Sequence, residues 1–335
     1  MRAAVFDRFG EPAEVVRIQD VPTPEPGPNR VRVRMIASPV NPSDLLFTRG
    51  RYSIRPTLPA SPGFEGVGVV DAAGPGLIGK ALVGRRVAVI NGEGGNWADF
   101  AVVPAFQAIP VPGSLADEQV ASFFVNPATV LAMVRHELGV PRGEWLLQSA
   151  ANSELGKMIV RLGRHDGFKT INVVRRPEAA DELHELGADA VIVTADGPIP
   201  DQVRRVVGPE GVRFAVDPVG GDIGTGVFES LAPSGTLLAY GSLTGEPIRI
   251  DTRLMISGGR VLRGFWLGHF MRSRSKVAAV PLFAQVGRLI RQGVLSTSVG
   301  PSFPLDRLPE AVRAAEEPGK PGKVLLRLRA SDAAS

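Results

Sequence analysis

The 335-residue chain contains no cysteine, which excludes disulfide bonds and thiolate metal sites together. Histidine is scarce as well, and His136, His165, His184 and His269 lie too far apart to predict a zinc site, which needs about three protein ligands. No apolar run reaches the roughly 18 residues that cross a bilayer. The segment from Met1 to Phe6 is already strand-like, so we expect no signal peptide. These absences predict a cytoplasmic protein that uses no metal and no membrane.

The composition describes a globular protein with a sizeable core. Hydrophobic residues make up 44% of the chain and charged residues 21%, and the length predicts two domains. The net charge is +4, and the calculated pI is 9.7. No long basic stripe carries interleaved aromatic residues, so we expect no nucleic-acid partner.

Two short segments hold much of the basic surplus. One contains Arg49, Arg51 and Arg55, and the other contains Arg272, Arg274 and Lys276. Both can be solvated surface. Alternatively, they steer an anionic cofactor or a phosphate-bearing substrate towards the protein.

Residues 1–110 predict a barrel-like β domain, because short alternating segments are separated by proline and glycine. Four prolines between positions 22 and 28 predict a stiff connection. The clearest predicted strands cover residues 31–36, 66–70 and 86–90.

From Ser114 onwards the pattern changes to alternating strands and helices, which predicts a doubly wound parallel sheet. Helical spacing at 115–124 and 128–138 is interrupted by Asn126-Pro127. A helix over 277–292, extended segments after Gly293 and a polar, frayed tail over 330–335 complete the pattern. Predicted strands cover residues 145–149, 170–174, 190–193, 213–217, 236–240, 260–264 and 323–328.

These patterns predict two domains, one inserted into the other. The domain at 123–294 carries the parallel sheet, and residues 1–122 with 295–335 form a discontinuous β-rich domain. The predicted fold class is therefore α/β.

A βαβ pattern at the start of the inserted domain predicts a dinucleotide site. A buried strand ends at Gln148, a turn of small residues runs to Gly156, and a helix then leads to a second strand. Such a unit places a pyrophosphate on the helix N-terminus. An acidic residue normally follows the second strand and binds the ribose 2′-hydroxyl. Here Arg175 and Arg176 follow it, and because guanidinium groups pair with a 2′-phosphate, we expect NADPH rather than NADH.

Further segments resemble a known superfamily over residues 1–328. They are Asn41-Pro42-Ser43-Asp44, Gly50-Arg51-Tyr52, Pro59, Gly63-Phe64-Glu65-Gly66, Val125-Asn126-Pro127-Ala128-Thr129 and Leu262-Arg263-Gly264-Phe265-Trp266-Leu267. Together they resemble the zinc-free medium-chain dehydrogenases/reductases, in the branch of 2-enoyl thioester reductases and quinone oxidoreductases. The resemblance implies a GroES-like β-rich catalytic domain and a Rossmann cofactor domain. It also implies a homodimer, and the strand from Arg260 to Gly264 is the natural edge for it.

The resemblance implies a metal-free reaction. Zinc-dependent members carry cysteine and histidine where this chain has Pro42, Ser43 and Phe64. Hydride addition to a conjugated C=C bond places negative charge on the carbonyl oxygen, and the α-carbon must be protonated. Tyr52, one of only two tyrosines, matches the tyrosine that such reductases use as proton donor or oxyanion partner. A surface tyrosine packed on its own loop is the alternative.

The remaining site residues are also placed by resemblance. Asn41 and Trp266 join Tyr52 as the catalytic set, although Asn41 can instead cap a turn and Trp266 can be core. Lys323 approaches the cofactor phosphate, with a solvated lysine as the alternative. The cofactor set is Thr129, Asn152, Ser153, Gly156, Arg175, Arg176, Tyr240, Gly241, Phe265, Trp266 and Lys323.

One departure from the relatives is marked. Of their glycine-rich turn only Gly156 remains, and Glu154 puts a carboxylate where a pyrophosphate is expected, although glutamate is also favourable in a first helical turn. The leading interpretation is an NADPH-dependent reductase of 2-enoyl thioesters, whose substrate is a small molecule. A quinone or enone reductase is the alternative enzyme, and a non-catalytic NADPH sensor is the alternative class.

Overall fold

The computed structural model describes residues 1–274 and 276–328, without the side chains of 276–279. The tail expected to fray, 330–335, lies outside the described residues, and so does the side chain of Lys276. The chain forms two compact units: Met1–Asn126 with the segment that begins at Ser296, and Pro127–Leu295. We call these the catalytic unit and the cofactor unit.

Both units are built from strands and helices, which are numbered in chain order. The strands are β1 Arg2–Val5, β2 Arg17–Asp20, β3 Arg30–Pro39, β4 Glu65–Ala73, β5 Arg86–Ile90, β6 Phe100–Pro104, β7 Ala108–Pro110, β8 Trp145–Gln148, β9 Lys169–Val174, β10 Ala190–Val193, β11 Val212–Asp217, β12 Leu231–Ala239, β13 Val261–Gly264, β14 Val299–Pro304 and β15 Lys323–Arg327. The α-helices are α1 Pro12–Val15, α2 Pro42–Thr48, α3 Leu77–Leu82, α4 Asp117–Ala121, α5 Val125–Leu131, α6 Glu154–Asp166, α7 Ala179–Leu186, α8 Ile199–Val207, α9 Gly221–Glu229, α10 Thr252–Gly258, α11 Leu267–Arg272, α12 Lys276–Arg291 and α13 Leu308–Glu316. A π-helix, Ala132–Glu137, continues α5.

The catalytic unit is built on a mixed sheet of seven strands in the order β14-β15-β3-β4-β5-β7, with β6 also paired to β3. The strand β3 shows why: Val31, Val33 and Met35 are buried, whereas the arginines between them are more exposed. Aromatic side chains fill the core below it, and the ring centroid of Phe47 lies 5.7 Å from that of Phe6. This is the GroES-like β-rich unit that the sequence predicts.

The cofactor unit contains a six-stranded parallel sheet in the order β10-β9-β8-β11-β12-β13. Every predicted strand of this unit is present within five residues of its expected limits. The doubly wound α/β fold predicted for this unit is thereby confirmed. Because all six strands run the same way, their carboxyl ends lie along one edge, where ligands bind in such sheets.

Two sequence predictions about helices are wrong in part. The predicted break between two helices is present, but it lies at residues 122–124. Asn126-Pro127 instead lies in the first turn of α5, where the missing N–H of proline has no partner to lose. The segment after Gly293 is not all extended, because it contains the helix α13 with Pro309 in its first turn. Among the described residues, no helix combines the length and the apolar character needed to cross a membrane.

Candidate active site

The turn between β8 and α6 places a capped helix N-terminus at the carboxyl edge of the parallel sheet. The side chain of Ser153 accepts a hydrogen bond of 3.1 Å from the backbone N–H of Gly156, which fixes the first turn of the 13-residue helix. Asn152 lies half-buried in the same turn. The positive end of such a helix favours an anion.

Close backbone contact explains why Gly156 remains. A Cβ atom at this position would lie 2.4 Å from the carbonyl oxygen of Ala151, so no larger residue fits without moving the helix away from the turn. Ala150 has a φ of 49°, in the left-handed region that favours glycine. The turn therefore keeps the backbone path of a glycine-rich turn at Ala150 without a glycine there.

Glu154 points along the helix and not out of its end. Its carboxylate lies 3.8 Å from the ammonium group of Lys157, and only 10% of its side chain is exposed. Lys157 also bridges to Glu182 at 2.5 Å. The Glu154 carboxylate therefore has a cationic neighbour in Lys157, which weakens the main objection to an anion at this helix end.

The tip of the second strand carries two exposed arginines. Arg175 and Arg176 directly follow β9. Two buried hydrogen bonds fix β9 to both neighbouring strands. Nε2 of Gln148 in β8 donates to Oδ1 of Asn172 at 2.7 Å, and Nδ2 of Asn172 donates to the carbonyl of Ala190 in β10. The arginines are thus presented on a rigid edge.

The other predicted cofactor residues of this unit follow neighbouring strands. Tyr240 and Gly241 follow β12, and Phe265 and Trp266 follow β13. Burial, with the nearby Asp217 carboxylate, raises the pKa of Tyr240 well above its ordinary value, so its hydroxyl stays protonated. These four residues share one sheet edge with the turn and the arginines.

Thr129, the remaining predicted cofactor residue of this unit, lies in a helix and not at the end of a strand. Thr129 is buried in α5, with 7% exposure.

Asp217 is also buried. Its carboxylate accepts a short hydrogen bond from the hydroxyl of Ser149 and another of 2.8 Å from the N–H of Gly220. Sequence reasoning missed this pair; its signal is a carboxylate at the end of a predicted strand.

In the catalytic unit, Asn41 and Lys323 meet inside a buried polar cluster. The ammonium group of Lys323 donates to Oδ1 of Asn41 at 2.7 Å, and Nδ2 of Asn41 donates to Oε1 of Glu65 at 2.9 Å. The carboxylate of Asp44 accepts hydrogen bonds from the backbone N–H groups of Asn41 and Phe64. Lys323 is 7% exposed, so the alternative of a solvated lysine is wrong.

Glu65 joins this cluster to the start of α5. Its Oε2 accepts hydrogen bonds from the N–H groups of Phe124, at 3.0 Å, and Val125, at 2.8 Å. Burial raises the pKa of Glu65, and burial also raises the pKa of Asp44 to about 7. Lys323 lowers both pKa values by its charge. We call Asn41, Asp44, Glu65 and Lys323 the buried polar cluster; the sequence offered Asp44 and Glu65 only as parts of motifs.

Tyr52 packs on the aromatic core and not only on its own loop. It is half-buried, and its ring centroid lies 5.2 Å from that of Phe64 at an interplanar angle of 41°. The backbone of Phe64 is in turn held by Asp44. Tyr52 is thereby linked through one residue to the buried polar cluster.

The arginines around Tyr52 are largely committed to structure. Arg49 pairs with Glu11 at 2.6 Å and with Glu316 at 2.7 Å. The guanidinium group of Arg55 lies 5.0 Å from the ring centroid of Phe9. Arg51 and Arg55 are both exposed, and neither forms an ion pair in the described residues.

The residues present do not fit a catalytic zinc. Pro42 offers no donor, Phe64 offers no donor, and the single hydroxyl of Ser43 is a poor zinc ligand. The described residues contain no group of three histidine, aspartate or glutamate side chains arranged to hold a metal ion.

Comparison with known proteins assigns the family. The model for the alcohol dehydrogenase GroES-like domain matches residues 27–113, and the model named zinc-binding dehydrogenase matches residues 155–285. The mitochondrial enoyl-[acyl-carrier-protein] reductase of Rattus norvegicus is 32% identical over 95% of this chain and 86% of its own length.

Solved structures agree on the fold. A Bacillus thuringiensis protein provisionally named as an NADPH:quinone reductase superposes with a TM-score of 0.93, at 30% identity, over 98% of this chain and 99% of its own. A mycobacterial protein solved with NADPH gives 0.89 at 28% identity, over 98% of this chain and 100% of its own. The chain is an oxidoreductase that belongs to the medium-chain dehydrogenase/reductase superfamily.

Proposed function

We propose that the protein is an NADPH-dependent, zinc-independent reductase of activated C=C bonds, with 2-enoyl thioesters as its substrate class. The observation that carries the proposal is the 32% identity to an enoyl-[acyl-carrier-protein] reductase over 95% of the chain. We take the protein to act on a small-molecule substrate. The homodimer and the cytoplasmic location belong to the proposal too, and β13 supports the dimer as an outermost strand whose Val261 is exposed.

The choice of NADPH follows from charge at the carboxyl edge of the sheet. In the proposal, the N-terminus of α6 holds the pyrophosphate, and Arg175 and Arg176 bind the 2′-phosphate by charge-assisted hydrogen bonds. Arg175 and Arg176 are exposed at the position where NADH-binding proteins carry a carboxylate that accepts a hydrogen bond from the ribose 2′-hydroxyl. Guanidinium groups at this position favour the 2′-phosphate of NADPH. Tyr240 and Gly241 line the same edge.

The chemistry divides between the cofactor and this chain. NADPH, when bound, supplies the hydride that reaches the β-carbon. Tyr52 stabilises the negative charge that develops on the thioester oxygen, or protonates the α-carbon, through its phenolic hydroxyl. The ring of Phe64 packs against that of Tyr52, and Asp44 of the buried polar cluster accepts a hydrogen bond from the backbone N–H of Phe64. Asn41 then acts by position, because both atoms of its amide are already hydrogen-bonded.

A quinone or enone reductase is the second candidate, and the name of the Bacillus thuringiensis relative favours it. A quinone lacks a phosphate-bearing arm, and its reduction needs no proton donor to carbon. The non-catalytic sensor is disfavoured, because the relatives are named as reductases.

Substitution of Tyr52 by phenylalanine tests the proposal. Tyr52→Phe keeps the contact with Phe64 but removes the hydroxyl, so kcat for a 2-enoyl thioester should fall about 10²-fold or more. NADPH affinity, measured separately by fluorescence titration, should stay within twofold. An unchanged kcat for the thioester would overturn the role of Tyr52. A wild-type protein that reduces quinones but no thioester would establish the second candidate.

A further inference from the structure

The two basic segments of the sequence differ in what their guanidinium groups contact. In the first, Arg49 is bound by two carboxylates and one exposed arginine, Arg55, stacks on a ring, that of Phe9. In the second, Arg272 and Arg274 are both exposed, and neither forms an ion pair with a carboxylate in the part of the chain that the structure describes. The second segment, in the cofactor unit, therefore has guanidinium groups available for an external anion.

Aromatic rings hold these two arginines in place. The guanidinium carbon of Arg272 lies 4.4 Å from the ring centroid of Trp266, and that of Arg274 lies 4.2 Å from the centroid of Phe270. Stacking on a ring face leaves the N–H groups at the edge of the guanidinium plane free to donate. Two forks that are already oriented lose less side-chain entropy when they bind an anion.

The charges around Arg272 and Arg274 add to the positive electrostatic potential of this segment. His136 lies beside Phe270, with ring centroids 5.9 Å apart. The neighbouring carboxylate of Glu137 pairs with Arg263 at 3.0 Å. Partial burial, with the charges of Arg274 and Arg135, lowers the pKa of His136, and the charge of Glu137 opposes this shift in part. The patch is thus cationic, with an imidazole that reports on its potential.

We propose that Arg272, Arg274 and His136 form a binding site for the phosphate of the pantetheine arm that carries the acyl thioester. This inference rests on the proposed function, since it names how that substrate class is recognised. The site lies on the segment that begins with Phe265 and Trp266, which follow the same sheet edge as the predicted cofactor residues. A guanidinium group suits phosphate because it can donate two parallel hydrogen bonds to the phosphate oxygens. A quinone has no group for this site.

Direct binding to the full-length protein tests the site without turnover. The probes are 4′-phosphopantetheine, coenzyme A and pantetheine, titrated by calorimetry while the ring protons of His136 are followed by NMR. A phosphate beside His136 should raise its pKa, and both phosphorylated probes should bind at least tenfold more tightly than pantetheine. Equal affinity for all three probes would overturn the site.

Variants locate the effect. Arg272→Gln/Arg274→Gln should weaken both phosphorylated probes at least tenfold and leave pantetheine unchanged. Arg213→Gln is the matched control, because Arg213 is an exposed arginine 5.7 Å from the ring centroid of Phe214. The double variant should also keep its NADPH affinity; an equal loss for NADPH would overturn the proposal by assigning the patch to the cofactor. If coenzyme A binds more tightly than 4′-phosphopantetheine, the substrate is a coenzyme A thioester. If the two probes bind equally, the substrate is a thioester on a carrier-linked phosphopantetheine arm.

Kinetics separate this site from the proposed function. For an enoyl thioester the double variant should raise KM at least tenfold, with an unchanged KM for a neutral enone. An unchanged KM for both substrates, with thioester reduction intact, would overturn the site and leave the function standing. Absence of thioester reduction in the wild type, with phosphate binding lost only in the double variant, would overturn the function and leave the anion site standing.

Discussion

The ammonium group of Lys323 donates a 2.7 Å hydrogen bond to Oδ1 of Asn41, although the two residues are 282 positions apart. Lys323 begins β15, and Asn41 directly precedes α2. The bond therefore joins the C-terminal strand of the catalytic unit to the segment that leads to Tyr52. The positive charge of Lys323 also lowers the pKa values of the two buried carboxyl groups, Asp44 and Glu65.

Loss of this cation should destabilise the protein through Glu65. Lys323→Met leaves a buried carboxylate without compensation, and the free energy of unfolding should fall by about 3 to 5 kcal/mol. Glu65→Gln also destabilises, but the double variant should be more stable than the sum predicts, by about 1 to 3 kcal/mol. Urea unfolding of the four proteins measures this coupling. Strict additivity would show that the two charges do not interact, and Glu25→Gln, at an exposed ion pair, is the control with little effect.

Stability should fall as the pH rises towards neutrality because of Asp44. Burial raises the pKa of this carboxyl from its ordinary 3.8 to about 7, so the folded protein binds its proton more tightly than the unfolded chain does. The contribution is fully present below about pH 4 and is lost as the pH rises through about 7. Thermal melts between pH 4 and 8 should show this slope, and Asp44→Asn should flatten it even though it lowers stability overall. An identical slope in both proteins would refute the assignment.

Cofactor choice should depend on the arginines after β9. Arg175→Gln/Arg176→Gln should raise the Kd for NADPH at least tenfold, because each guanidinium group can make charge-assisted hydrogen bonds to the 2′-phosphate. The Kd for NADH should change less than threefold. Arg213→Gln is again the control, at another exposed position of the same unit. Equal losses for the two cofactors would contradict a contact with the 2′-phosphate.

Glu154 should have little influence on cofactor affinity. Its carboxylate lies against Lys157 and is 10% exposed, so it adds little repulsion at the end of α6. Glu154→Gln should change the Kd for NADPH less than threefold, and Glu182→Gln, which removes the other partner of Lys157, is the comparison. A tenfold gain in affinity for Glu154→Gln alone would mean that the carboxylate does face the bound anion.

Local sequence patterns predicted the parallel sheet well and the polar sites poorly. Strands such as β8 and β10 are short and almost entirely apolar, so their length and character are visible in the sequence. The helix α13 was missed although Pro309 and Glu310 in its first turn are helix-start signals, because its apolar face consists mostly of alanine and the helix is only nine residues long. The buried carboxylates were missed for a different reason. Asp44 and Glu65 accept hydrogen bonds from groups between 3 and 60 positions away along the chain, and their partner Asn41 binds Lys323, 282 positions away. No local rule predicts that a charged residue will be buried among such distant partners.

The central claim is tested most directly by product analysis with purified protein. A short trans-2-enoyl-CoA is incubated with NADPH or NADH, and the saturated thioester is quantified by mass spectrometry beside cofactor oxidation. We predict one saturated thioester for each NADPH consumed, with at least a tenfold preference for NADPH in kcat/KM. NADPH consumption with a quinone and none with the thioester, or equal use of NADH, would contradict the account.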